Sequence, residues 1–297
     1  MRCGPLFLLL LLSACQANLP ALPEWQSPLG REHADLGRIR DLRSGEWLAP
    51  AQLLERLAAA PRVLVGEQHD NPDHHALQVW LLQALATRRE QGALLLEMLT
   101  PDQQGAVDAV KARLASGQAV TDLQGELAWA RGWDWALYGP LVRHALRQPY
   151  PLLAANLEHG EMMRIYQEQP PLAGSASTAA PVRQALLRQV REAHCGLLPE
   201  SRMPAMLAIQ QQRDRRMAEA LLAAPLPALL FAGAYHVRRD LGVPLHLRDL
   251  GGEAGTQVLI LAEVGKRVTA NQADFVWYSA ALPAQDHCEK LRQEPAR

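Results

Sequence analysis

The chain has 297 residues, 48% of them apolar and 21% charged, with a formal net charge of −1. That balance is ordinary for a globular domain and excludes disordered and fibrous classes. With no basic surplus to neutralise phosphates, nucleic acid is not an expected partner.

The first residues read as a targeting signal. Arg2, an apolar run over residues 6–12 and then Leu12-Ser13-Ala14-Cys15 give a charged start, a short apolar stretch and small residues before a cysteine. The run falls well short of the roughly 20 residues needed to cross a bilayer, so it targets the chain and does not span. Leu-Ser-Ala-Cys resembles the bacterial lipobox, which implies cleavage before Cys15 and acylation of its thiol. Gln16, where an aspartate would favour inner-membrane retention, points to the outer membrane, facing the periplasm. Residues 15–35 carry Pro20, Pro23 and Pro28 with little periodicity and read as a lipidated cysteine on an extended tether. Removal of residues 1–14 takes away Cys3. With Cys15 lipidated, Cys195 and Cys288 are left as a candidate disulfide in an oxidising compartment, and the sequence leaves their separation open.

From residue 36 to 297 the pattern is that of a single domain. An apolar run at 63–66, helical spacing over 72–91 and a second run at 93–99 make a βαβ unit. Asn71 before Pro72 and Thr100 before Pro101 each put a capping side chain ahead of a proline suited to the first helical turn. Further strands are expected at 151–157, 228–235, 257–264 and 275–279, and long helices at 183–195 and 203–222. Residues 169–181, rich in proline, glycine and serine, read as a flexible connector or lid. The fold class is α/β, a mostly parallel sheet flanked by helices, with a helical subdomain inserted at about 159–223.

In open parallel sheets ligands gather beyond the carboxyl ends of the strands, so polar residues at strand exits carry weight. Glu67 and His69 leave the first strand, Glu97 the second, Asn156 the third and His236 a later one. Two carboxylates and two imidazoles in one cleft suit a divalent metal or general-base activation of water. The competing reading is that they satisfy backbone groups at strand ends. Of the adjacent His74 and His75 only one can face the same cleft, and His74, nearer the cap, is the expected one. A second constellation, His194-Cys195-Gly196 near Leu197, Leu198, Met203 and Met206, offers an imidazole among apolar side chains, as haem requires. A histidine before glycine also suits a plain helix C-cap. No CxxCH occurs, so any haem would be held non-covalently.

Residues 63–75, 94–97, 153–156, 211–217 and 233–244, together with His194-Cys195-Gly196, resemble the ChaN family of iron-regulated, haem-binding lipoproteins, in a superfamily with TIKI, TraB and erythromycin esterase proteins. The resemblance implies a lipid-anchored domain acting in haem and iron acquisition, without catalysis, alongside an outer-membrane haem uptake system. It also implies haem held between two protomers, so a homodimer when loaded, with iron ligated by tyrosine and propionates met by the partner. Tyr166, in an apolar and basic segment beside the flexible connector, is the candidate ligand, with His194 as the second cofactor-binding candidate; a helix-packing role for Tyr166 stands beside it. Lys111, Lys266 and Lys290 are the only lysines, so arginines must supply most basic contacts. The alternative is a metal- or general-base-assisted hydrolase using Glu67, His69, Glu97 and His236. For the leader, Cys15→Ser is expected to move the protein from membrane to released fractions; full membrane retention with a removed leader excludes lipid on this residue as the main anchor.

Overall fold

The computed structural model describes residues 19–286, 288, 289 and 292; Cys15 and the leader lie outside them. In chain order, β1 (Ile39–Asp41) and β2 (Trp47–Leu48) lead through α1 (Pro50–Ala58) to β3 (Arg62–Glu67), α2 (Pro72–Ala86) and β4 (Ala93–Leu96). Then come α3 (Gln104–Ala115), α4 (Leu123–Glu126), α5 (Trp135–Leu146) and β5 (Leu152–Ala154). A helical run follows: α6 (His159–Glu168), α7 (Ala180–Ala193) and α8 (Met203–Ala223). The chain returns to the sheet with β6 (Ala228–Gly233), the short α9 (Ala234–Val237), α10 (Val243–Asp249), β7 (Thr256–Glu263) and β8 (Phe275–Ser279).

The sheet runs β2-β1-β8-β7-β3-β6-β4-β5. From β8 to β5 every neighbouring pair is parallel, and β1 and β2 add an antiparallel edge. The central strands are continuous apolar runs because both faces are covered. Val63, Val65, Leu229, Phe231 and Leu259 point into a core with α1, α2 and α5, while Leu64, Leu230, Val258 and Ile260 meet Met217 and Leu221 of α8 and Val243 and Leu247 of α10. Since the parallel strands all end on one edge, Glu67, Glu97, Asn156 and His236 arrive there together.

Capping follows the sequence at Asn71, whereas at Thr100 the expected roles reverse and the Gln103 side chain is the acceptor. Asn71 accepts the Asp73 N–H at 2.9 Å with Pro72 in the first turn, and Gln103 accepts the Thr100 N–H at 3.0 Å in the 3-10 turn that opens α3.

Three expectations change. The tether is not free: from Leu19 onward it is packed on the domain, with the Trp80 indole donating to the Pro20 carbonyl at 2.9 Å and Asp73 accepting the Gln26 and Ser27 N–H groups at 2.6 and 3.1 Å. Proline had signalled an extended conformation, which this segment keeps while α2 supplies its partners. The connector after α6 is also tied down, because Asp249 accepts the N–H groups of Ser175, Ala176 and Ser177. The strand expected at 228–235, β6, stops at Gly233, so Tyr235 and His236 lie on α9 and not on a strand. Cys195 and Cys288 form a disulfide, with Cα atoms 5.5 Å apart.

Candidate functional site

Glu67 closes β3 fully buried, and a carboxylate there needs donors. Tyr138 of α5 supplies its hydroxyl at 2.9 Å and His69 its Nδ1–H at 2.6 Å, both to the same oxygen. With Nδ1 committed, Nε2 is the free ring nitrogen of His69. The ring lies over Gly233, where a Cβ would come within 2.8 Å of Cε1 and 2.9 Å of Nε2, so only glycine permits this approach. Trp133 packs edge-on at 5.0 Å. Burial opposes protonation of His69, but its hydrogen bond to Glu67 and the charge of Glu67 outweigh that and raise its pKa. Burial beside Glu67 pushes the Tyr138 phenol far up, so it remains a donor.

The second pair differs. Glu97 follows β4, accepts the Gly233 N–H at 2.7 Å and stands 3.3 Å from His236 Nε2. The other ring nitrogen of His236 meets Asp214 of α8. Burial alone would lower the His236 pKa, but two carboxylates overcome it and raise it to about 10. Burial works on Glu97 in the opposite sense, and the charge and hydrogen bond of His236 hold its carboxyl well below the usual range. His236 is therefore a buried cation between two anions, and His69 a half-exposed base.

The structure thus brings Glu67, His69, Glu97 and His236 together. Asn156 lies beside them in a backbone role, donating to the Glu97 carbonyl at 2.8 Å and accepting the Leu157 N–H at 2.8 Å. His74 is elsewhere: fully buried and kept neutral by burial, it accepts the Gln68 N–H at 2.9 Å and meets Ser279 Oγ at 2.9 Å. The phase of α2 turns His75 to the cluster instead, 3.0 Å from the His69 carbonyl and 4.0 Å from Glu67. His194 caps α7, its Nδ1 2.8 Å from the Val190 carbonyl. Tyr166 packs with Leu157, Ile165 and Ile209 between α6 and α8. Neither lines the cleft described next.

A divalent metal is not supported. Among the described residues no group of three or more His, Cys, Asp or Glu side chains is arranged to hold an ion, and both nitrogens of His236 are engaged as donors to carboxylates.

Beside the cluster opens a cavity of about 520 Å³ that reaches from Glu67, His69 and His236 to the ends of β7. Its lining mixes apolar Ile260 and Val268 with basic Arg238, Lys266 and Arg267, of which Arg238 is paired with Asp240 and Lys266 with Glu263, and Tyr235 stands on its rim, 50% exposed with the Arg238 guanidinium 5.6 Å from its ring. Such a volume and mixed lining suit a small organic ligand. Tyr138, Asp214 and Tyr235 escaped the sequence reading. Adjacency to His236 was the one available signal for Tyr235.

Replacing His236 by Ala leaves Glu97 and Asp214 buried without their cation and is expected to cost about 3 to 5 kcal/mol in urea unfolding at neutral pH. Because the folded pKa lies above that of a free imidazole, this stabilisation is complete below about pH 6.5 and lost as pH rises toward 10. The gap between wild type and variant should therefore narrow over that range; a gap independent of pH would contradict the charged imidazole.

The family model described as haem-binding uptake, Tiki superfamily, ChaN matches residues 53–247. The solved structure of cofacial heme binding to ChaN of Campylobacter jejuni is similar with a TM-score of 0.74 and 28% identity, over 80% of this chain and 95% of that one. An erythromycin esterase mutant in its open conformation aligns at 12% identity over 76% and 77% of the two chains, with a TM-score of 0.43. RRSP, a MARTX toxin effector domain from Vibrio vulnificus, aligns at 15% identity over 81% of this chain and 39% of that one, with a TM-score of 0.45. These two likenesses are too low to inform the chemistry. No curated protein sequence matches the chain significantly. The match over residues 53–247 and the shared fold make this chain a member of the ChaN family of the Tiki superfamily.

Proposed function

We propose that the protein binds haem non-covalently in the cleft at the carboxyl edge of the sheet and serves haem uptake without catalysing a reaction on it. The observation that carries this reading is Tyr235, a half-exposed phenol on the rim of a cleft lined by both apolar and basic side chains. Haem calls for those three things: a protein ligand for iron, apolar surface for the porphyrin faces and cations or donors for the propionates. Tyr235 would supply the ligand, Ile260 and Val268 apolar surface, and Arg267 positive charge, with Arg238 and Lys266 beside it in ion pairs with Asp240 and Glu263. This assignment replaces Tyr166 and His194, which lie away from the cleft. The relative from Campylobacter jejuni is described as binding heme cofacially; we extend that here to a homodimer in which a second copy covers the porphyrin face left open by the first. Lipid on Cys15 would hold the domain at the outer membrane, facing the periplasm, alongside an outer-membrane haem uptake system.

Haemin titration of the protein lacking residues 1–15 is expected to give a saturable Soret shift. Tyr235→Phe should weaken binding at least about tenfold, or about 1.4 kcal/mol, and change the iron spectrum from that of phenolate ligation. Unchanged affinity and spectrum would remove Tyr235 as ligand; no saturable shift in the wild type would sink the haem reading.

One observation favours a second reading. His69 presents a free Nε2 to the cleft while Glu67 and Tyr138 hold its other side, the arrangement of a carboxylate-backed general base. If the cleft hydrolyses esters, a chromogenic acetate ester should be turned over, and His69→Gln should slow that turnover by about 100-fold or more. Equal rates in wild type and variant would exclude this reading.

A further inference from the structure

The two walls of the cleft belong to different parts of the fold. One is the end of β7 with the loop that carries Lys266, Arg267 and Val268; the other includes α7, through Gln189. The C-terminal segment joins them. It leaves β8 beside the first wall, where Ala281 pairs with Leu29 and the Leu282 N–H donates to Glu263 Oε1 at 3.0 Å. It ends covalently at the second, where Cys288 is bonded to Cys195, two residues beyond α7. Between these attachments residues 283–286 are exposed. The six steps from Leu282 to Cys288 reach at most about 20 Å, so the link is short.

The other restraints on α7 lie outside the sheet cores: Val182, Ala185 and Leu187 pack half-buried beside Leu186, and Arg191 pairs with Glu200 at the surface. The helix buries only Leu186 and Val190, and Leu186 packs in a small cluster with Leu207 and Leu241, separate from the two cores on the sheet. Gln189 Oε1 is buried with no hydrogen-bond partner. An element with few buried apolar contacts opens at low free-energy cost, unlike the strands beneath it. The disulfide therefore restrains a wall that packs outside the two sheet cores.

We propose that the Cys195–Cys288 disulfide is a redox latch on the cleft. Oxidised, it ties α7 to the carboxyl edge of the sheet and slows ligand exchange. A dithiol donor opens it by thiol–disulfide exchange: one donor thiolate attacks a sulfur of the bridge and releases the other as thiolate, and the second donor thiol resolves the mixed disulfide. Two electrons and two protons pass to this chain as two cysteine thiols, and the donor leaves as a disulfide. α7 then moves away from the cleft and the ligand leaves faster. The ligand part of this proposal rests on the haem reading; the movement of α7 does not.

The test uses the whole chain from Cys15 onward, oxidised, after dithiothreitol, and as Cys195→Ser and Cys288→Ser. Hydrogen exchange over residues 180–193 is expected to be about tenfold faster in the reduced protein and in both variants, with β3 and β6 unchanged. Transfer of bound haem to excess apomyoglobin, measured on a Cys195→Ser/Cys288→Ser double variant so that no dithiothreitol is added and neither bridge cysteine is left as a thiol, should be faster by a similar factor. Unchanged exchange in α7 overturns the latch, as does equal loosening of β3 and β6, which would mark the bridge as a general staple. Faster exchange in α7 with unaltered haem transfer overturns the gating. If the wild type takes up no haem, the haem reading fails, and hydrogen exchange alone still decides whether α7 is latched.

Discussion

Much of the carboxyl edge depends on one buried ion: the imidazolium of His236 between Glu97 and Asp214. Glu97 comes from the exit of β4, Asp214 from α8, and His236 from the turn after β6, so the charges join sheet, strand exit and helical subdomain at one point. Two carboxylates at that depth are tolerable only with a cation between them. The same Glu97 takes the Gly233 N–H and so fixes where β6 ends and α9 begins. Tyr235 reaches the rim because the residue after it is held inward. Position and charge are thus set together, and the neighbouring pair, Glu67 with His69, is left with its imidazole facing the cleft.

The same topology explains what could be read in advance. Continuous apolar runs bounded by caps declare parallel strands, and parallel strands bring their exits to one edge, so the meeting of Glu67, His69, Glu97 and His236 was legible across about 170 residues of chain. Asp214 was not, since it sits in the run Gln211-Gln212-Arg213-Asp214-Arg215-Arg216, which reads as a solvated face until α8 is laid against α9. The choice between His74 and His75 turned on the phase of α2, which the Asn71 cap sets but spacing alone does not reveal. Tyr166 looked exposed beside a flexible connector; packing of α6 on α8 and the grip of Asp249 on that connector removed the premise. Tyr235 lay hidden because an apolar run ending in tyrosine reads as strand, and only the break at Gly233 swings its ring outward.

The two functional readings share one cavity and so exclude one another in time. A porphyrin seated against Tyr235 and the wall of β7 would stand before His69 Nε2, and a substrate polarised by His69 would occupy the entry to the same wall. The lining includes Arg238, Lys266 and Arg267, but Arg238 is paired with Asp240 and Lys266 with Glu263, so a ligand with acid groups would compete with those carboxylates for two of the three cations.

The docking of residues 19–28 along α2 changes what a lipid on Cys15 would do. Only three residues separate Cys15 from Leu19, and the four steps between them reach about 14 Å when fully extended. A domain on a long tether samples many orientations above a bilayer; one gripped at Trp80 and Asp73 would ride close to the surface with a restricted set of faces toward it. Its encounters would then be those of a body sliding in a thin layer, and a delivering or receiving partner would have to present its own opening at that height and angle.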